Sequence, residues 1–171
     1  MGSRLVISGT GNEMFEPDRD ITRAEFAAII VRALGIKPGM EQAMFSDVHA
    51  GDWYSSFVIA ASEYKIISGY GDGKFVPNDK ITREQAMVMI ARAMNITELK
   101  VEFAPGEVEK LLASYNDADK IVDYAGNSIA ACIKAGIAAG KKGMLLAPKD
   151  NITRAEAAVI IQGLLHKSNL I

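Results

Sequence analysis

The 171-residue chain has one cysteine and two histidines, and these scarcities exclude several kinds of site. Cys132 alone cannot form an internal disulfide or a cysteine-rich metal site, and its apolar neighbours favour a small buried side chain. The histidines stand in unrelated contexts and no nucleophile–base pair is visible, so we expect no enzyme and no cofactor. Asp72-Gly73 invites interpretation as a calcium loop. The loop positions that should carry carboxylates hold Ser68 and Tyr70 instead, so we expect no metal site.

Charge of one sign and long apolar runs are also lacking. The formal net charge of −2 supplies no basic face, so we expect no nucleic-acid partner. No apolar run approaches the roughly 18 residues needed to cross a bilayer, so we expect no membrane insertion. The N-terminus carries no recognisable secretory signal, and Met1-Gly2-Ser3 resembles an expression-vector remnant. With 49% apolar residues rich in Ala, Ile and Met, and only 7% aromatic, the composition favours an all-α globular fold.

The chain does contain one short sequence motif in three copies, which we call the repeated phrase: Ile21–Glu25, Ile81–Gln85 and Ile152–Glu156. A proline precedes each Ile by four residues and a glycine precedes it by twelve, which indicates a tandem repeat. Thr followed three residues later by Glu or Gln is a capping box, so each copy predicts a helix start. Apolar side chains then recur with the helical period in all three copies. These stripes are Phe26, Ile29, Ile30, Ala33 and Leu34; Ala86, Met89, Ile90, Ala93 and Met94; and Ala157, Ile160, Ile161, Leu164 and Leu165.

The repeated unit is predicted to be a helix, a glycine turn, a short extended piece, a proline and the capped helix. Asp47 is a candidate cap for the first helix of the second unit, and Asp117 and Tyr124 echo Asp47 and Trp53 in the third. We place the units at 1–36, 37–96 and 97–171, with an inserted short helix near 106–114. The first unit lacks its first helix, which predicts an uncovered apolar stripe. Truncation, domain swapping and a partner, including self-association through that face, are the alternatives.

The second unit resembles an S-layer homology module. The residues that carry the resemblance are Phe45-Ser46-Asp47-Val48, Trp53, the turn Ile67–Gly73, Phe75-Val76-Pro77 and Ile81–Gln85. The resemblance implies tandem helix-loop-helix repeats in a pseudo-threefold arrangement around a central helical bundle, with grooves between modules. It also implies a secreted protein of a Gram-positive-type cell wall or S-layer. Such a protein binds secondary cell wall polysaccharide non-covalently, through a pyruvylated and hence anionic sugar. The third unit departs from the family pattern at Tyr115, Tyr124 and Lys142.

Capping does not explain the arginine of each phrase, because a cation at the first helical position is mildly disfavoured by the helix dipole. One alternative is an ion pair with a carboxylate of a neighbouring repeat, for which Asp47 and Asp117 are candidates. The other is an anion site in which a guanidinium and glycine-turn amides hold a carboxylate. The glycines have their own alternative, a turn that simply requires positive φ. The candidate glycan-binding residues are Arg23, Arg83, Arg154, Gly9, Gly69, Gly140, Ser68, Tyr70, Asp47 and Trp53.

The aromatic candidates differ in what the sequence favours. Tyr70 lies within a glycine turn and is expected to be exposed. Trp53 shares a helical register with Phe57 and Ala60, which favours a core position over stacking on a sugar. Two functions therefore stay open: an anchor that binds acidic cell-wall polysaccharide, and a structural self-assembly or protein-interaction module that binds no glycan.

Overall fold

The computed structural model describes residues 16–38 and 44–171, so Gly9 and the rest of the first glycine turn lie outside the described part. Within those ranges the chain is helical, with isolated β-bridges and no strand. Short 3₁₀ turns span Ala118–Lys120 and Asp123–Ala125. The helices are α1 (Arg23–Ala33), α2 (Ser55–Glu63), α3 (Arg83–Ile96), α4 (Glu107–Leu112), α5 (Gly126–Lys134) and α6 (Arg154–Lys167). The all-α prediction is thereby confirmed.

The three capping boxes are present at the starts of α1, α3 and α6. In the first, the Glu25 amide donates to Thr22 Oγ1 at 3.2 Å and the Thr22 amide donates to Glu25 Oε2 at 2.7 Å. The same reciprocal bonds join Thr82 to Gln85 in α3. Each box satisfies two backbone amides that the helix itself cannot pair. The repeated phrase therefore starts helices as the sequence predicts.

A closed ring of backbone hydrogen bonds joins the three phrases. The Ile21 amide donates to the Ile152 carbonyl at 3.2 Å, and the Ile152 amide donates to the Ile81 carbonyl at 3.1 Å. The ring closes where the Ile81 amide donates to the Ile21 carbonyl at 3.1 Å. All three isoleucines are fully buried. This cyclic order is what a pseudo-threefold arrangement requires, while the rotational symmetry itself stays a prediction.

Each capped helix of the first two repeats packs on a helix of the next repeat. The first helix of the second unit, α2, packs on α1, and the first helix of the third unit, α5, packs on α3. The capped helices α1, α3 and α6 also contact one another. The predicted uncovered stripe on α1 is therefore wrong, because α2 covers that helix and Phe26, Ile29 and Ile30 are buried. The argument for self-association through the first module fails with it.

Of the three capped helices, α6 is the one that other described helices cover least. No helix in the described ranges packs on it as α2 packs on α1 or α5 on α3. The difference is visible at one repeated position, where Ala28 is 1% exposed, Val88 is 8% exposed and Val159 is 64% exposed. The sequence argument assigned helix partners within a unit, and the exposed apolar side chain lies on the last helix instead.

Asp47 does not cap a helix, which corrects the prediction. Helix α2 begins at Ser55, and its N-cap residue makes no side-chain capping bond. The Asp47 carboxylate instead accepts the amides of Phe75 and Val76 at 2.9 and 2.8 Å. It therefore ties the opening of the second unit to the segment that follows the glycine turn.

Asp117 plays the same part in the third unit. Its carboxylate accepts the amides of Leu146 and Ala147 at 2.8 and 2.7 Å, and the side chain is buried. Charge-assisted hydrogen bonds of this kind are among the stronger ones in proteins. The short helix α4, which lies within the predicted 106–114 insertion, precedes this aspartate and packs on α5.

Candidate functional site

The three repeated arginines are buried at the first position of their helices. Arg23, Arg83 and Arg154 are 6%, 5% and 5% exposed. Arg23 Nε donates to the Phe75 carbonyl at 2.9 Å, and Arg83 Nε donates to the Leu146 carbonyl at the same distance. Phe75 and Leu146 belong to the next repeat in each case. Each of these two arginines therefore crosses a boundary between repeats, which helix capping alone does not require.

The predicted ion pair between these arginines and Asp47 or Asp117 is wrong. Both carboxylates accept backbone amides, as described above. A neighbouring carboxylate is nevertheless used at Arg83, whose Nη1 lies 3.5 Å from Glu156 Oε1. The partner is thus the glutamate of the next capping box. The predicted kind of interaction exists at Arg83, with a different residue.

A groove next to Arg23, which we call the Tyr70 groove, has a volume of about 480 Å³. The Arg23 guanidinium lies 4.6 Å from the centre of the Tyr70 ring, in the geometry of a cation–π contact. Gln85 Nε2 donates to the Tyr70 hydroxyl at 2.9 Å and so fixes the ring from the other side. The groove is lined by Arg23, Ile67, Ser68, Gly69, Tyr70, Gln85, Val88, Met89, Arg92, Tyr124 and Ser128.

Among the residues that the structure describes, the lining of the Tyr70 groove contains two arginines and no carboxylate. Arg92 Nη1 donates to Ser68 Oγ at 3.1 Å, which holds this second guanidinium against the glycine turn. Burial lowers the pKa of Arg23, and the nearby Tyr70 partly offsets that effect. An arginine nonetheless stays protonated in a protein. Asp79 and Asp47 lie near enough to favour the charged form of Arg23 but do not line the groove, so the groove surface presents positive charge beside aromatic rings.

The equivalent groove next to Arg83, which we call the Lys141 groove, has a volume of about 690 Å³. Here Glu156 Oε1 lies 3.1 Å from Lys141 Nζ as well as 3.5 Å from Arg83 Nη1. Arg83 Nη2 also donates to the Ala139 carbonyl at 3.1 Å. Lys141 Nζ also lies 3.4 Å from Asp150 Oδ2, so each cation of this groove has a carboxylate of the protein within 3.5 Å. Its wall is mostly apolar and includes Ile133, Ile137, Val159 and Ile160.

Positive φ occurs at other glycines of the two turns, Gly71, Gly73 and Gly143, whereas Gly69 and Gly140 are explained by close packing. Neither residue has a positive φ. A Cβ at Gly69 would lie 2.5 Å from the Lys74 carbonyl oxygen and 2.8 Å from the Phe45 ring. A Cβ at Gly140 would lie 2.5 Å from the Tyr115 ring. These glycines let an aromatic ring and a backbone carbonyl approach the turn.

Trp53 is not a core residue, which corrects the favoured prediction. It is 56% exposed, and its ring meets Tyr54 edge-on at 5.5 Å between centroids. Its counterpart Tyr124 is 63% exposed and lines the Tyr70 groove. Burial, followed by the charge of Glu84, raises the pKa of Tyr124, so its hydroxyl is neutral at ordinary pH. Both aromatic positions are available to a ligand.

The structure brings together only part of the predicted set. The Tyr70 groove contains Arg23, Ser68, Gly69 and Tyr70, and the Lys141 groove contains Arg83 and Gly140. Arg154, Asp47 and Trp53 line neither of these two grooves, and Gly9 lies outside the described residues.

Sequence reasoning missed several groove residues. Gln85 and Glu156 were assigned to capping alone, although the difference between an amide and an acid at that position was visible. Tyr124 stood out only as the counterpart of Trp53, and Arg92 belongs to no motif. In the described part of the chain, no cluster of His, Cys, Asp and Glu could hold a metal ion. Among those same residues, no helix is long and apolar enough to span a membrane.

Comparison with known proteins gives consistent matches. The S-layer homology domain profile matches residues 3–27, 45–87 and 114–158. The chain is 42% identical to an amylopullulanase of Thermoanaerobacterium thermosulfurigenes over 98% of its own length and 9% of that protein. It is 42% identical to the exoglucanase XynX of Acetivibrio thermocellus over 99% of its length and 15% of that protein.

A surface layer protein of Brevibacillus choshinensis is 42% identical over 52% of the chain, which corresponds to 8% of that relative. The chain therefore spans less than a fifth of the length of these relatives. The two relatives named as enzymes match nearly the whole chain, and the relative named as a surface layer protein matches about half of it. The shared stretch is thus not tied to one catalytic activity.

Proposed function

Because this chain belongs to the S-layer homology domain family, we propose that it anchors a larger protein to the cell wall by binding an acidic cell-wall polysaccharide. The ligand class is a glycan that carries a carboxylate, such as a pyruvylated sugar, and the Tyr70 groove is the site. Arg23 is the main cationic contact, with Ser68, Gly69 and Tyr70 beside it. The proposed location is the cell surface, and the proposed role is not catalytic.

The single observation that carries this proposal is the charge of the Tyr70 groove. Arg23 and Arg92 line it, and none of its lining residues in the described ranges is acidic. A guanidinium can bind a carboxylate through two parallel hydrogen bonds, and desolvation in a groove strengthens such bonds. Of the Arg23 nitrogens, Nε is committed to the Phe75 carbonyl. The exposed rings of Tyr70 and Tyr124 provide flat apolar surfaces of the kind that can pack on a sugar.

The test is co-sedimentation of the chain with purified secondary cell wall polysaccharide from a Gram-positive bacterium, in two forms. One form is native and the other is treated with mild acid to remove its pyruvate ketals. We expect the native form to retain the chain, and we expect salt to weaken that retention because the contact is partly ionic. Equal retention by both forms would show that the carboxylate is not the recognised group.

The second candidate function is self-assembly without glycan binding, and one observation favours it. Val159 on α6 is 64% exposed beside the apolar wall of the Lys141 groove. An exposed apolar position of this kind suits contact with another protein surface. Sedimentation velocity of the chain alone tests this candidate. An assembly module forms oligomers without polysaccharide, and a chain that sediments as a monomer would contradict self-assembly.

A further inference from the structure

We propose that one pair of positions decides which groove accepts a carboxylate-bearing ligand. The pair is Tyr70 with Gln85 in the Tyr70 groove and Lys141 with Glu156 in the Lys141 groove. The neutral pair leaves the groove open to an anion, and the charged pair closes the groove to it with a carboxylate of the protein. This inference rests on the proposed function, because it concerns the selectivity of the same kind of site.

The two pairs occupy equivalent places in their repeats. Tyr70 and Lys141 each follow the glycine of the turn, and Gln85 and Glu156 each stand third in a capped helix. In both grooves the two side chains contact each other. Gln85 Nε2 donates to the Tyr70 hydroxyl at 2.9 Å, and Lys141 Nζ lies 3.1 Å from Glu156 Oε1. One contact is a neutral hydrogen bond and the other is an ion pair.

Helix capping does not account for this difference. Gln85 Oε1 accepts the Thr82 amide at 3.2 Å, and Glu156 Oε2 accepts the Thr153 amide at 3.0 Å. Both residue types therefore complete the capping box with one oxygen. The second terminal atom is what differs, since glutamine presents an amide donor and glutamate presents a charged oxygen. Helix capping therefore does not decide whether this position is glutamine or glutamate, and the residue type can be set by its role in the groove.

The second atom sets the electrostatics at the buried arginine. In the Lys141 groove, Glu156 Oε1 lies within 3.5 Å of Arg83 Nη1, at the place where a ligand carboxylate would have to bind. A ligand anion would compete with this internal carboxylate and be repelled by it. In the Tyr70 groove, the Arg23 guanidinium meets the Tyr70 ring at 4.6 Å and no lining carboxylate. Of the two arrangements, the one in the Tyr70 groove leaves a guanidinium available to an anion.

The test exchanges the pairs and titrates two probes by calorimetry. The probes are a monosaccharide pyruvate ketal with a free carboxylate and the methyl ester of the same compound. Gln85→Glu retains the capping box and is expected to weaken binding of the acid by at least about tenfold while leaving the ester unchanged, because one negative charge is added beside Arg23. The reciprocal variant, Glu156→Gln with Lys141→Tyr, is expected to gain an additional binding site for the acid.

The outcomes separate this inference from the proposed function. Thermal unfolding of each variant first shows whether the capped helices are intact, and Gln85→Asn, which shortens the amide, is a second variant that adds no charge. If the wild-type chain binds the acid, and both exchange variants titrate as the wild type does, the inference is overturned and the proposed function stands. A wild-type chain that binds neither probe overturns both. Loss on Gln85→Glu together with gain on the reciprocal variant supports the inference.

Discussion

The Tyr70 groove and the Lys141 groove are built from equivalent parts and differ in charge. Each has a buried arginine that donates to a carbonyl of the next repeat, and each has a glycine turn packed against an aromatic ring. In the first, Arg23 faces the Tyr70 ring, and in the second, Arg83 faces the Glu156 carboxylate. The backbone arrangement of a repeat is therefore retained while the charged groups around its buried arginine differ.

A second difference lies at the far end of the two grooves. Arg92 in α3 donates to Ser68 Oγ, whereas the equivalent position in α6 is Gly163. A Cβ at Gly163 would lie 2.9 Å from the Ile137 carbonyl oxygen, so even the smallest side chain is excluded. The Lys141 groove thus cannot gain a second guanidinium at this position without a shift of the backbone.

The largest expected effect comes from removing the two arginine charges one at a time. Arg23→Gln is expected to weaken binding of the acidic polysaccharide by about a hundredfold, since a charge-assisted bidentate contact of about 3 kcal/mol is lost. Arg83→Gln is the matched control, because Arg83 is equally buried and equally placed in its helix. We expect it to change the affinity by less than about threefold. Equal losses in both variants, measured by co-sedimentation, would remove the distinction between the grooves.

The next effect concerns stability and should be equal in the two grooves. Gly69→Ala and Gly140→Ala are each expected to lower the free energy of unfolding by about 2–3 kcal/mol, because the new Cβ meets a ring and a backbone carbonyl. Gly51→Ala is the control, since nothing lies within 4 Å of its Cβ position. Urea unfolding measures all three. If Gly69→Ala is as stable as Gly51→Ala, close packing does not explain the glycine.

Acid is expected to remove the contribution that the Asp47 carboxylate makes to the free energy of unfolding. Burial opposes ionisation of Asp47, but hydrogen bonds from the Phe75 and Val76 amides outweigh it, and the net result is a lowered pKa. A carboxyl with a lowered pKa in the folded state stabilises the protein above its unfolded pKa of about 3.9, and this contribution is lost as the pH falls through the folded value. Asp47→Asn is expected to cost about 1–2 kcal/mol at neutral pH.

The measurement for Asp47 is urea unfolding of the wild type and Asp47→Asn across the acid range. The difference in unfolding free energy between them should shrink as the pH falls below about 4. A difference that stays constant over the whole range would mean that the Asp47 carboxylate is not the stabilising species.

The smallest effect tests how differently α3 and α6 are covered. Val88→Ala removes a buried side chain of α3 and is expected to cost about 1 kcal/mol, whereas Val159→Ala removes an exposed one and should stay within about 0.5 kcal/mol. Thermal unfolding of the two variants at the same concentration is sufficient. A larger cost at Val159 than at Val88 would indicate that another surface covers α6 in solution.

Local features could be predicted from the sequence, and contacts between repeats could not. The capping boxes depend on residues three apart, and they form as the repeated phrase predicts. The exposure of Tyr70 also followed from its glycine turn. By contrast, Asp47 finds its partners 28 and 29 residues away, and Arg83 lies 73 residues from Glu156. Such distances in sequence are set by how the repeats close on one another.

Two corrections have the same origin. A helical register placed Trp53 in the core, but α2 begins after Trp53 and leaves its ring exposed. The uncovered stripe was assigned to α1 because helices were paired within a unit, and α2 of the next unit covers it. Periodicity identifies which face of a helix is apolar, and it does not identify which neighbour covers that face.

In our proposal, Arg23 has a guanidinium available to an anion and Arg83 does not. The most direct measurement is NMR of the arginine Nε–Hε groups during titration with a monosaccharide pyruvate ketal, with signals assigned from Arg23→Lys and Arg83→Lys. We expect a saturable shift of the Arg23 signal while the Arg83 signal stays in place. A shift of Arg83 equal to that of Arg23, or a shift of Arg83 alone, would contradict it.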